Sequence, residues 1–138
     1  MKLALFAYSR RGRDTALEAR DAVCGPEDGC RCFAPARYAG GDFEVIQPPC
    51  AQSTGPLFAW ADAMVFVGAA GIAVRSIAPR VRDKRTDPAV LCVDELGRFG
   101  IPLLSGHIGG ANALAGRLAA ALGAVPAVTT ATDINGRF

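Results

Sequence analysis

Val65-Phe66-Val67-Gly68-Ala69-Ala70-Gly71-Ile72-Ala73-Val74-Arg75 passes from an unbroken apolar run through small residues into a segment of helical character. A continuous apolar run is how a strand buried on both faces reads, and a cluster of Gly and Ala directly after it marks a strand-to-helix turn. The spacing predicts a strand over Ala63 to Val67 and a helix over Ile72 to Ala78, ended by Pro79. Upstream, Leu3 to Tyr8 is a second such run, turned by Ser9, Arg10, Arg11 and Gly12 toward a helix over Asp14 to Val23. Between them, Arg31 to Phe33 reads as a short strand, Phe43 to Gln47 as a linking segment, and Thr54 to Trp60 as a short helix. Downstream, Ala89 to Val93 and Arg98 to Leu104 are strands joined by Asp94-Glu95-Leu96-Gly97, a hairpin-type turn. Apolar Ile108, Ala111, Ala115, Leu118 and Leu122 recur at helical spacing, Gly123 is a left-handed stop, and Val125 to Thr129 is a further strand. The alternation predicts a doubly wound, mostly parallel α/β sheet, a flavodoxin- or Rossmann-like three-layer domain, with an antiparallel hairpin near residues 89–104. Ligands in such sheets sit beyond the carboxyl ends of the strands, where both glycine-rich turns are expected to fall.

The chain has 138 residues, 51% of them hydrophobic and 20% charged, so one core and a single α/β domain over residues 1–138 are expected, folding without help from metals or disulfides. A net charge of +2 with no long basic face argues against a nucleic-acid partner. No apolar stretch is long enough to cross a membrane or form a signal-peptide core, which points to the cytoplasm. Five cysteines, Cys24, Cys30, Cys32, Cys50 and Cys92, are an odd number and are expected to be reduced. Cys24, Cys30 and Cys32 lack the paired spacing of zinc ribbons, so a variable surface loop is preferred there to a metal site.

Three constellations could carry chemistry. In the first, Gly68 and Gly71 remove side chains so that a ligand can approach backbone amides and the positive end of a helix dipole, with Arg75 nearby. The same glycines could equally serve tight packing of helix on sheet. In the second, Leu104-Ser105-Gly106-His107-Ile108-Gly109-Gly110-Ala111-Asn112, glycines surround the single histidine at the entry of a helix. Free amides and one imidazole should converge there, and a functional His107 is preferred to a structural one. Ser105 is an anion ligand or an N-cap, and no Asp/His pairing makes it a nucleophile. In the third, Thr129, Thr130, Thr132 and Asp133 either cap the next element or line the cleft. A basic segment, Arg75, Arg80, Arg82, Lys84 and Arg85 with Asp83, is a solvated loop or a site for carboxylates or phosphates. The Asp87-Pro88 step is a turn signal whose acid could anchor that loop.

Taken together, FVGAAGIAVRSIAP (66–79), DPAV (from 87), IPLLSGHIGGANALA (101–115) and VTTATDINGRF (from 128) resemble the amino-terminal part of the CbiG family, the cobalt-precorrin-5A hydrolases of anaerobic cobalamin biosynthesis. YSRRG (8–12) is compatible with it, and residues 24–50 carry none of its motifs. Family members continue into middle and carboxyl-terminal domains, so the resemblance implies one domain of a larger or split enzyme. It implies hydrolysis of the δ-lactone of cobalt-precorrin-5A, release of acetaldehyde and formation of cobalt-precorrin-5B. The substrate is a cobalt tetrapyrrole rimmed with acetate and propionate groups, for which amide-rich turns and arginines are fitting partners. Lactone opening needs a base to activate water and donors for the oxyanion. His107 is then the first candidate base, Asp133 the second, and the amides of Gly109 and Gly110 candidate donors, while Gly68, Gly71, Arg75, Ser105, Gly106, Asn112 and Thr130 would bind substrate. The macrocycle already holds the cobalt, so no cofactor or protein metal site is required, although an axial contact from His107 is an alternative to its base role. Two other readings stand beside the enzyme. One is a non-catalytic domain that grips the tetrapyrrole or docks the remaining domains or a partner chain. The other is a nucleotide-binding α/β domain, against which stand the absence of G-x-G-x-x-G after the first strand and of any P-loop.

Overall fold

The computed structural model describes residues 1–47, 50–105 and 110–129. Its strands are β1 (Lys2–Ala7), β2 (Gly29–Pro35), β3 (Phe43–Ile46), β4 (Ala63–Val67), β5 (Ala89–Val93), β6 (Phe99–Ser105) and β7 (Val125–Pro126), and its helices are α1 (Arg10–Val23), α2 (Cys50–Trp60), α3 (Ala70–Ile77) and α4 (Ala111–Leu122). The strands form one sheet in the order β3-β2-β1-β4-β5-β6-β7. From β3 to β5 all pairings are parallel, β5 and β6 are antiparallel, and β7 runs parallel to β6. The expected doubly wound sheet with its hairpin is therefore present.

Alternation within the strands sorts the core into two layers. Leu3, Leu5, Val65, Val67, Leu91 and Val93 face α1 and α4, meeting Ala16, Ala19, Leu114 and Leu118. Ala4, Phe6, Met64, Phe66 and Val90 face α2 and α3, meeting Leu57, Phe58, Ala73 and Ile77. Phe6 stacks on Phe66 with ring centroids 4.5 Å apart and on Phe33 at 5.4 Å, locking the three central strands in register.

Several boundaries differ from those expected. Helix α1 starts at Arg10, four residues early, because the Ser9 side chain accepts the Gly12 N–H at 2.9 Å and caps it. Phe43 to Ile46 is an edge strand and no mere link: Phe43 and Ile46 are buried, and Glu44 pairs with Arg31 of β2 at 2.8 Å. Four residues are too few for alternation to register in the sequence. Helix α2 begins at Cys50 instead of Thr54, and α4 is described from Ala111. Strand β7 is two residues long, and Gly123 ends α4 in the left-handed conformation as expected, with φ of 70°.

The expectation of reduced thiols fails for one pair. Cys24, the C-cap of α1, and Cys30, in β2, are joined in a disulfide with 6.6 Å between their Cα atoms. The tight return from α1 into β2 brings them together, a juxtaposition that spacing alone did not convey. Cys32 and Cys92 are buried free thiols, each pushed up from its ordinary pKa by burial. Among the described residues no helix is long and apolar enough to cross a membrane, and no cluster of His, Cys, Asp or Glu could hold a metal ion.

Candidate functional site

The first glycine-rich turn lies where β4 leaves the sheet. Gly68 has φ of 152°, a conformation that a side chain disfavours. Its N–H donates to the Val93 carbonyl at 2.8 Å and its carbonyl accepts from the Cys92 thiol at 3.2 Å, which ties the turn to β5. Ala69, the N-cap of α3, offers no side-chain bond to the helix amides. Arg75 folds back along α3, its Nη1 only 3.1 Å from where a Cβ on Gly71 would stand. The structure thus brings Gly68, Gly71 and Arg75 together at the carboxyl end of the parallel strands.

The adjoining crevice between β1 and β4 is the topological switch point, where dinucleotides sit in folds of this order. Here an acid of the protein occupies it. The Ser9 hydroxyl at the α1 N-terminus donates to Glu95 Oε2 at 2.9 Å, and the Thr15 hydroxyl donates to the Glu95 carbonyl at 2.6 Å. A carboxylate already placed at the positive end of α1 takes the position a phosphate would need, which weighs against the nucleotide-binding alternative.

Ser105, from which the second turn departs, is at the other end of the sheet, and this corrects the expectation that both turns share the carboxyl edge. Strand β6 is antiparallel, with Ser105 beside Ala89 and Gly100 beside Val93, so its carboxyl end lies at the amino end of β5. Five-residue β4 and β5 separate Gly68 from Ser105 by about 15 Å at ~3.3 Å per residue. Gly106, His107, Gly109, Thr130 and Asp133 lie outside the described residues, and Ser105 is described by its backbone. The described N-cap of α4 is Gly110, whose carbonyl accepts the Leu114 N–H at 2.9 Å, so Ser105 is not that cap. Asn112 sits half-buried in the first turn of α4.

Gly110 borders a cleft of about 400 Å³ beneath α4, walled by Ala63, Ala89, Ala113 and Leu114 and rimmed by Met1, Asp62 and Arg117. Its rim charges are engaged at their edges: Asp62 accepts the Lys2 N–H at 2.7 Å and Arg117 donates to the Val23 carbonyl at 3.1 Å. The Met1 ammonium, 2.7 Å from Asp28, holds that carboxyl below its usual range, and Asp28 raises the amine in turn. The chain after β7 runs parallel to β6, with the Ala127 N–H donating to the Gly100 carbonyl at 2.9 Å, so Thr129 follows the direction of β6. An apolar cleft with opposed charges at its rim, at the entry of a helix capped without side chains, suits a ligand with an apolar body and anionic arms.

The basic segment is organised by its acids. Asp87 is 7% exposed, and its Oδ2 accepts the N–H groups of Arg82 at 2.9 Å and Asp83 at 3.1 Å, the anchoring role its position suggested. Asp83 pairs with Arg85 at 2.9 Å. Sequence reasoning missed Glu95, Asp62 and Arg117, which carried no motif and acquire meaning only through neighbours at least twenty residues away in the chain or from other elements.

A parallel 3-2-1-4-5 core with helices on both faces, extended by an antiparallel strand whose last residue, Ser105, lies at its amino edge, defines a doubly wound α/β domain. The profile of the family described as Cobalamin synthesis G N-terminal matches residues 53–133. This chain belongs to that family. It is 44% identical over 133 residues to the cobalt-precorrin-5A hydrolase of Salmonella typhimurium, covering 96% of this chain and 36% of that protein. It is 50% identical over 72 residues to the cobalt-precorrin-5A hydrolase of Priestia megaterium, covering 52% of this chain and 19% of the relative. The chain thus spans about a third or less of these relatives' length. The fold matches a crystal structure of a cobalamin biosynthesis protein G homolog from Sulfolobus solfataricus with a TM-score of 0.71 at 24% identity, over 93% of this chain and 36% of that one.

Proposed function

We propose that residues 1–138 form the amino-terminal domain of a cobalt-precorrin-5A hydrolase, which opens the δ-lactone of its cobalt tetrapyrrole substrate and releases acetaldehyde. The observation that carries this is the 44% identity with the Salmonella enzyme along nearly the whole chain. The cleft bordered by Gly110 supports it, having apolar walls for a macrocycle and a helix entry for carboxylate arms. In this proposal His107 activates the attacking water, Asp133 is the second base, and the Gly109 and Gly110 amides receive the oxyanion. Ser105, Gly106, Asn112 and Thr130 bind the substrate with them. Gly68, Gly71 and Arg75, a sheet's length away, then belong to a separate contact, with another arm of the substrate or with a further domain. The cytoplasmic location expected from the sequence is part of the same proposal.

The test is acetaldehyde release from cobalt-precorrin-5A, read through alcohol dehydrogenase, by this chain alone and with the remaining family domains supplied. Release by the chain alone places the lactone chemistry within these residues. Release only with the supplement supports the second reading, a substrate-gripping domain, which the 36% coverage of the Salmonella relative favours. No release in either arm removes the hydrolase assignment. In the complete enzyme His107→Ala is expected to lower turnover by about 10²- to 10⁴-fold, the usual scale of general-base catalysis, and full turnover would remove His107 from the role.

A further inference from the structure

We infer that a second cleft, on the opposite face of the sheet from α4, binds an organic carboxylate through Arg80, with Arg82 as a supporting cation. The cleft measures about 300 Å³ and lies between α2 and the loop leading into β5, lined by Gly55, Phe58, Arg80, Arg82, Thr86 and Asp87 among others.

Three observations converge on Arg80. First, its guanidinium lies flat against α2 where residue 55 has no side chain: a Cβ there would stand 2.6 Å from Nη2, 2.7 Å from Cζ and 2.8 Å from Nε. No other residue type at 55 would leave the guanidinium where it is. Second, Arg80 Nε is buried and has no hydrogen-bond partner among the described residues. A buried donor left without an acceptor is costly, so such a group calls for one. Third, among the described residues no carboxylate pairs with Arg80 or Arg82, although the loop contains two acids. Asp83 is committed to Arg85, and Asp87 Oδ2 to the Arg82 and Asp83 amides.

Two arginines and one buried acid line the cleft and leave it with one positive charge in excess, which suits a monoanionic group. The planar fork of Arg80 presents parallel N–H donors of the geometry a carboxylate accepts. Phe58 offers an apolar wall for the methylene stem that would carry such a group. Ala89 lines the α4 cleft and Asp87 this one, so the two sites flank the entry of β5 on opposite faces. The inference rests on the cleft alone and does not depend on the hydrolase proposal.

The experiment follows the arginine Nε–H resonances of this chain by NMR while propionate, uroporphyrin (a porphyrin rimmed with carboxylates) or chloride is added at matched ionic strength. Propionate and uroporphyrin are expected to shift the buried Arg80 Nε–H, and chloride to leave it in place. Arg80→Gln should weaken carboxylate binding by about tenfold or more, and Arg80→Lys, which keeps the charge and loses the fork, should recover part of it. If Arg80→Gln does not fold, the exposed Arg82→Gln supplies the second variant, with a smaller loss of affinity expected. Much tighter binding of uroporphyrin than of propionate identifies the arm of a macrocycle as the ligand, and similar binding identifies a small free acid; either supports the site. No shift with either carboxylate, or an equal shift with chloride, overturns it. Absence of acetaldehyde release with this response intact would count against the hydrolase proposal only.

Discussion

Replacing Asp87 with Ala tests whether one carboxylate holds the basic loop in shape. Asp87 is 7% exposed and receives two backbone N–H groups, from Arg82 at 2.9 Å and Asp83 at 3.1 Å. Hydrogen bonds to a charged acceptor contribute about 1.5–3 kcal/mol each. Arg82 is exposed at the surface, so water can reach part of the loop and replace some of that loss. The low end of the range gives about 3 kcal/mol for the two bonds, and with part of it replaced by water we expect about 2–3 kcal/mol in total. For 138 residues the unfolding entropy is about 0.3 kcal/mol/K, so Tm should fall by roughly 7–10 °C. Asp87→Asn keeps an acceptor oxygen for the two amides while losing the charge, and should cost about half as much. Urea unfolding followed by the fluorescence of Trp60, the single tryptophan, measures both variants, with the midpoint expected to move and the slope to stay. A loss below ~1 kcal/mol for Asp87→Ala, or an equal loss for the two variants, would refute the account, because the acceptor geometry would then contribute nothing.

Gly68→Ala puts a side chain on a backbone with φ of 152°, although its nearest contact, Tyr8 Cδ2, would be an unstrained 3.6 Å away. The cost is therefore conformational, about 1–3 kcal/mol, and a thermal melt should show a fall of several degrees. Burial works against the charged form of Asp94, but the N–H groups of Phe99 and Arg98 and the Arg98 guanidinium outweigh it and hold its carboxyl below the usual range. A group with a depressed folded pKa contributes stability above its unfolded value, near 3.9, and loses it as pH falls from there through the folded value. Asp94→Asn should accordingly flatten the acid limb of the stability profile below about pH 4 while lowering stability at neutral pH, as read by urea midpoints across pH.

Strands β1, β4 and β5 were legible because each is an apolar run, and the hairpin was legible from the turn residues Asp94 to Gly97. Both are local signals, written in neighbouring residues, and they sufficed for the doubly wound class. The order of motifs along residues 66–138 sufficed for the family. Short edge elements were not legible: β3 is held by its cross-strand pairing with β2 and by Phe43 packing under α1, neither of which four residues can encode alone. Nor was the partnership of Cys24 with Cys30, which depends on how sharply the chain returns from α1 into β2.

What lay wholly with the tertiary structure was which end of the sheet each turn serves. The hairpin inverts β6, so Ser105, where the second turn starts, lies beside Ala89 at the amino edge while Gly68 remains at the carboxyl edge. The same holds for the fit of Arg80 against Gly55 and for the carboxylate of Glu95 at the head of α1. Periodicity and turn chemistry act over a few residues and so can be read along the chain. The placement of a charge against a gap made 25 residues earlier depends on how helices pack across a sheet, and only the folded chain brings those groups together.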